Sequence, residues 1–335
     1  MQTSIWASRP HHDSLRDVAR SYWQLTKPRI IPLLLIETTA GMWIAGQGRV
    51  SPMLLLITLL SGTLAAASAQ TINCIYDRDI DYDMERTRHR PIPSGRIQPK
   101  DALIFAVVMA VLSFSLLARF ANLLSAGLAM LGIAVYIGVY TFWLKRSSPQ
   151  NIVIGGAAGA IPPLVGWAAV TNELTLAAWV FFAIVFVWTP PHFWALAKLI
   201  QDDYAKVNVP MLPVIAGNKA TARQIWWYTV GLVPLTLLMV YPFGVCGAVY
   251  GLGAISFGGI FLKKAWQLRN HYDDKDLARG TFKFSIFYMM LLSAAMVIDA
   301  LPITRAGTAA IAQALTASQF AHGVQQVWQA IPIVG

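Results

Sequence analysis

The chain has 335 residues, 56% of them hydrophobic and only 13% charged, against roughly 25% charged in soluble domains. That balance excludes an ordinary soluble domain and makes the bilayer the solvent. A net charge of +10 would suit a nucleic-acid binder, but the basic residues concentrate in alternate loops. That is the signature of the cytoplasmic side of a membrane protein, so no nucleic-acid partner is expected.

Residues 1–24 are polar, carry His11 and His12, and lack the apolar core of a cleavable signal. They read as a flexible cytoplasmic arm. Apolar stretches of about twenty residues, long enough to cross about 30 Å of hydrocarbon, follow at 30–48, 52–72, 103–120, 122–143, 151–170, 176–194, 225–242, 243–261 and 282–302. Of the 26 Lys and Arg residues, all but Arg49, Arg119 and Arg305 fall before the first stretch or in every second loop. Nine spans and an N-inside, C-outside orientation therefore support each other. The predicted fold is all-α: a polytopic membrane domain over 25–302, with about nine transmembrane helices around a central cavity and a cytoplasmic N-terminus. In the tail, 303–335, Ile311, Leu315, Phe320, Val324, Trp328 and Ile331 recur at helical spacing, as in an amphipathic helix on the outer surface. The two cysteines, Cys74 in a predicted loop and Cys246 in a predicted span, allow neither a disulfide framework nor a paired-Cys metal site. Glu37, inside the first span, is costly to bury and so a site candidate by default.

Five of the 16 acidic residues fall between Asp77 and Glu85. If the second span continues as a helix, Asn73, Asp77, Asp81 and Glu85 lie four apart, each turned about 40° from the last, and form one stripe. Carboxylates one turn apart repel unless a cation joins them. Oxygen ligands suit Mg²⁺, which shares its shell with substrate phosphates, so a diphosphate is the natural partner. Asn73, Asp77 and Asp81 are the catalytic candidates, with Asp77 and Asp81 as metal ligands. A solvated acidic loop is the plainer reading, but Arg86, Arg88, Arg90 and Arg96 follow directly, and Pro91, Pro93 and Gly95 fold that segment back. Guanidinium groups beside the metal would take the remaining leaving-group charge.

A second loop brings Lys198, Asp202, Asp203, Tyr204 and Lys206, either a second carboxylate pair flanking the diphosphate or a polar connection. Lys145-Arg146, after Tyr136, Tyr140 and Thr141, is either a snorkelling anchor or a diphosphate contact. Pro190 and Pro191 are expected to break the sixth span beside a cavity. Around them, Trp188, His192, Phe193 and Trp194 suit a flat aromatic or tetrapyrrole ligand, or an interfacial belt. Gly155, Gly156 and Gly159 suit close helix packing.

The spacing Asn73, Asp77, Asp81 resembles the Asn-x-x-x-Asp-x-x-x-Asp signature of the UbiA superfamily of membrane prenyltransferases. The wider runs Leu25–Arg29, Asn73–Arg96, Asn151–Ala160, Trp188–Ala197 and Val209–Pro213 resemble its protohaem IX farnesyltransferase branch. The resemblance implies Mg²⁺ as cofactor, farnesyl diphosphate and haem b as substrates, and haem O as product. It also implies an inner-membrane location with the site facing the cytoplasm, and a haem A synthase downstream. Diphosphate would be held by Arg78, Arg90, Lys145 and Arg146, and the haem or prenyl pocket would include Tyr140, Trp188, His192, Phe193 and Trp194. The superfamily's second Asp-x-x-x-Asp motif falls in this chain on Ile200 and Tyr204, with Asp202 and Asp203 out of register, so Tyr204 and Lys206 are expected to contact diphosphate instead. Alternatives from other classes are a prenyltransferase for a quinone precursor or chlorophyllide, a transporter, and a haem-binding protein without turnover.

Overall fold

Prolines and small polar residues set most helix starts. Pro32, Pro52, Pro99 and Pro213 stand in first turns, where the missing N–H costs nothing and φ is already helical. Asn122, Thr175 and Asp274 cap their helices, each side chain accepting a backbone N–H of the first turn; such caps stabilise a helix by about 1 kcal/mol. The resulting chain, described for residues 14–304 and 306 of a computed structural model, is helical, without a strand among those residues.

The helices are α1 (Leu15–Leu25), α2 (Ile31–Ala45), α3 (Pro52–Tyr76), α4 (Arg78–Asp83), α5 (Pro99–Phe120), α6 (Leu123–Ser147), α7 (Asn151–Thr171), α8 (Leu176–Leu199), α9 (Gln201–Lys206), α10 (Leu212–Leu237), α11 (Ala248–Asn270) and α12 (Lys275–Ala300). Six of them (α3, α5, α6, α7, α8, α12) are long and apolar enough to cross a bilayer, and the protein is an integral membrane protein. α2 is apolar but only 15 residues long. The apolar stretches predicted at 225–242 and 243–261 belong to α10 and α11. α10 is broken at Gly217 (φ 75°, ψ 173°), and its helix resumes with the polar residues Asn218 to Arg223, ahead of the apolar stretch.

Three further expectations are corrected. Residues 15–24, placed in a flexible arm, form α1 together with Leu25. Ser14 caps it, Leu25 is buried beside Cys74, Ile92 and Ile97, and Arg96 donates to Ser21 Oγ (3.1 Å) and Gln24 Oε1 (2.9 Å). Cys74 lies buried in α3, and Cys246 in the connection before α11. α8 runs unbroken through Pro190 and Pro191; the prolines remove two N–H donors, yet the packed neighbours keep the axis helical. The tail helix expected beyond residue 306, His11 and His12 lie outside the described residues.

Small residues let α2 press against α7. A Cβ on Gly41 would stand 2.5 Å from the Pro163 carbonyl oxygen, a backbone approach open only to glycine. α6 widens into a π-helical stretch at Val135–Leu144. Such stretches re-aim side chains by about one residue and favour functional sites. Here Tyr136 and Tyr140 stack with centroids 5.5 Å apart, and Tyr140 fits against α7 because Gly155 has no side chain.

Candidate active site

The charged centre forms where the ends of α3 and α6 meet the folded-back loop after α4. Asp77 joins α3 to α4 (φ −83°, ψ 8°), bending the axis while the ladder continues: Asp77 N–H donates to the Asn73 carbonyl (2.9 Å) and Asp81 N–H to the Asp77 carbonyl (2.8 Å). Asn73, Asp77 and Asp81 are all buried, as the stripe requires. Glu85 leaves the stripe; it is exposed and pairs with Arg88 at 2.7 Å.

Asp77 and Asp81 each meet a cation from elsewhere in the chain. Lys145 Nζ bonds Asp77 Oδ2, which also accepts from Asn73 Nδ2 at 2.7 Å. Asn73 Oδ1 in turn accepts from Lys27 Nζ at 2.7 Å, and its amide also reaches Thr141 Oγ1 at 3.2 Å. Arg90, nine residues on in the loop after α4, bonds Asp81 Oδ2 at 2.6 Å. Arg146 holds exposed Asp79 through both nitrogens, at 2.6 and 2.7 Å, and lies over the Tyr76 ring. That bidentate contact pulls the Asp79 carboxyl down to about 2. Burial lowers the Lys27 ammonium below its usual range.

One oxygen is left over. Asp77 Oδ1 is buried without a hydrogen-bond partner, with Arg146 Nη2 3.6 Å away. A sheltered carboxylate oxygen with unused lone pairs is what a hard divalent cation takes, so Asp77 fits a metal ligand. Among the described residues no three His, Cys, Asp or Glu side chains gather. Mg²⁺ binds through one or two carboxylates and completes its shell with water and phosphate oxygens.

Beneath this centre lies a cavity of about 310 Å³ enclosed by α2, α3, α6, α7 and α8, within the range of small-molecule sites. Gln70, one turn below Asn73, lines it and accepts from Tyr136 Oη at 3.1 Å. Tyr140, Trp188, His192 and Phe193 line it as predicted. Glu37 also lines it, fully buried, with neither carboxylate oxygen hydrogen-bonded.

Other predicted residues sit elsewhere. Trp194 packs edge-on against Tyr228, outside the cavity lining. Arg78 is exposed, its guanidinium 3.5 Å from the Ile75 carbonyl, and Lys206 is exposed on α9. Asp202 and Asp203 diverge and form no second pair. Asp203 faces Arg86 at 3.8 Å, while Asp202 lines a separate cleft with Asp273 and Asp274. Tyr204 is buried against Ile80, Met84 and Trp194, and that burial raises its hydroxyl, with Arg86 and Arg90 opposing. Lys27, Gln70, Thr141 and Ser285, none given a role from the sequence, bond side chains of the candidate site. Lys27 had a signal, the Thr-Lys-Pro-Arg run before the first span.

Residues 34–292 match the UbiA prenyltransferase family. The chain is 66% identical to a protein of Trichormus variabilis named protoheme IX farnesyltransferase over 297 residues, 89% of this chain and 93% of that one. It is 62% identical to one of the same name from Microcystis aeruginosa, over 92% of this chain and 98% of that one. In fold it is similar to a digeranylgeranylglyceryl phosphate synthase (TM-score 0.70, 20% identity, covering 85% of this chain and 99% of that one). It is also similar to a UbiA homologue of Archaeoglobus fulgidus solved with DMAPP and Mg²⁺ (TM-score 0.60, 17% identity, covering 82% and 99%).

Proposed function

Because the chain belongs to the UbiA prenyltransferase family, we propose that it transfers the farnesyl group of farnesyl diphosphate to the 2-vinyl group of protohaem IX (haem b), giving haem O. The relatives' shared name supports the substrates. The observation that carries the reading is a fully buried carboxylate, Asp77, ringed by Lys145, Arg146 and Asn73 directly above an aromatic-walled apolar cavity. A diphosphate and a prenyl chain need those two environments in that order.

Asp77 and Asp81 would hold Mg²⁺, which supplies charge neutralisation for a diphosphate leaving group. Lys27, Arg90, Lys145 and Arg146 present the cationic donors around it, already aimed by the side chains they hold, Asn73 for Lys27 and acids for the others. As the allylic C–O bond ionises, the stacked faces of Tyr136 and Tyr140 offer electron density to the cation. The apolar wall excludes water until the terminal vinyl carbon has bonded to farnesyl C1. Water then adds to the inner vinyl carbon and loses a proton, giving the hydroxyethylfarnesyl group. A nine-span, N-inside topology would put the charged centre at the cytoplasmic face of the inner membrane. Its product would pass to an enzyme that oxidises haem O, such as a haem A synthase.

The test is turnover of purified protein in nanodiscs with haem b, farnesyl diphosphate and Mg²⁺, followed by mass spectrometry of extracted haem. Farnesylated, hydrated haem is expected from the wild type. Transfer to a phenolic acceptor but never to haem would move the assignment to another member of the family.

A further inference from the structure

The cavity wall holds one imidazole whose every side but one is occupied. His192 is stacked between Trp188 (centroids 4.4 Å, 16° between planes) and Phe282 (5.0 Å, 29°), so both ring faces are covered. Its Nδ1 lies 2.7 Å from Ser285 Oγ on α12. The edge carrying Nε2 is what remains for the cavity that His192 lines.

The tautomer follows from counting protons. A serine hydroxyl has one hydrogen. Ser285 Oγ donates it to the Phe282 carbonyl at 2.7 Å, because a carbonyl oxygen can only accept. Toward His192 the same hydroxyl must then accept, so Nδ1 carries the hydrogen and Nε2 of the neutral ring has an open lone pair. Trp188, one turn before His192 on α8, fixes the acceptor by donating its indole N–H to the Ser285 carbonyl at 2.9 Å. A neutral imidazole held at Nδ1–H by an oriented oxygen is how metal-ligating histidines are prepared.

Resting on the proposed haem substrate, we propose that His192 Nε2 is an axial ligand of the haem iron, with Ser285 setting its tautomer and Trp188 and Phe282 holding the ring edge-on to the cavity. His192 lies seven residues before the end of α8 and Gln70 seven before Asp77, both roughly 10 Å along their helices. The iron would therefore be anchored about two turns inside the bilayer from the diphosphate centre, leaving the porphyrin rim to approach it.

The experiment is optical and paramagnetic-resonance spectroscopy of full-length protein in nanodiscs titrated with haem b, without farnesyl diphosphate. The wild type labelled with ¹⁵N-histidine should show one histidine nitrogen coupled to ferric iron, a reading that needs no variant. His192→Ala should lose that coupling and change the Soret band, with added imidazole restoring the wild-type spectrum. Ser285→Ala should keep the coupling but bind haem about tenfold more weakly. Saturable haem binding without histidine coupling, or a His192→Ala spectrum identical to the wild type, would overturn the ligation and leave the proposed reaction standing. A wild type that binds no haem would instead overturn the reaction.

Discussion

Two short helices, α4 and α9, each of six residues, follow the ends of long helices and carry two or more acids, yet only one belongs to a buried charged centre. At α4 the joining residue is Asp77, and the ladder runs on through Asp81, so both carboxylates turn inward. At α9 the corresponding places are held by Ile200 and Tyr204, which pack into the core. Asp202 and Asp203 therefore fall two residues and one residue off the inward direction and face a side cleft and Arg86, respectively. Position within the turn decides: each inward acid of the centre sits where a cation from another segment of the chain reaches it and offsets the cost of burying it. Lys145, delivered by the π-widened end of α6, does this for Asp77, and Arg90 for Asp81.

That contrast can be broken or sharpened by substitution. Asp77→Asn should have the largest effect, a fall in farnesyl transfer of about 1000-fold with the protein still inserted; turnover within a few-fold of wild type would remove the centre from the chemistry. Lys145→Met should come next. It leaves Asp77 buried without its ammonium, at a cost of about 3 kcal/mol in stability visible as a lower midpoint of thermal unfolding, and transfer should fall by roughly 100-fold. Arg90→Gln should lower turnover by about tenfold through the loss of one charge-assisted donor, whereas Arg78→Gln, on an exposed side chain, should leave it within about twofold. The smallest effects belong to α9: Asp203→Asn gives up one half-exposed pair, worth less than about 1 kcal/mol, and Asp202→Asn should leave kcat and KM at wild-type values.

Much of this was legible in the sequence for physical reasons. Apolar length places the helices, and the four-residue spacing of Asn73, Asp77 and Asp81 places the stripe because a helix has 3.6 residues per turn. Glu85 escaped the pattern because α4 ends at Asp83 and the chain turns outward at Met84 (ψ 125°). The sequence places the start of this helix, α10, at 225 because the polar residues after the break at Gly217, Asn218 to Arg223, look like a loop to a hydropathy argument. Lys27 and Ser285 were invisible because their roles depend on contacts across 46 and 93 residues of chain. Trp194 shares a motif with His192 but points into another cluster, since neighbouring residues on a helix face different ways. Glu37 was legible as costly, and its unpartnered oxygens bear that out.

The central claim is that Asp77 and its partners grip a prenyl diphosphate through Mg²⁺. Calorimetric titration of the nanodisc-embedded protein with a non-ionisable farnesyl diphosphate analogue, with and without Mg²⁺, tests it most directly. Wild-type protein should bind the analogue in a Mg²⁺-dependent manner, and Asp77→Asn should lose that dependence along with most of the affinity. An Asp77→Asn isotherm that matches the wild type and responds equally to Mg²⁺ would contradict the account.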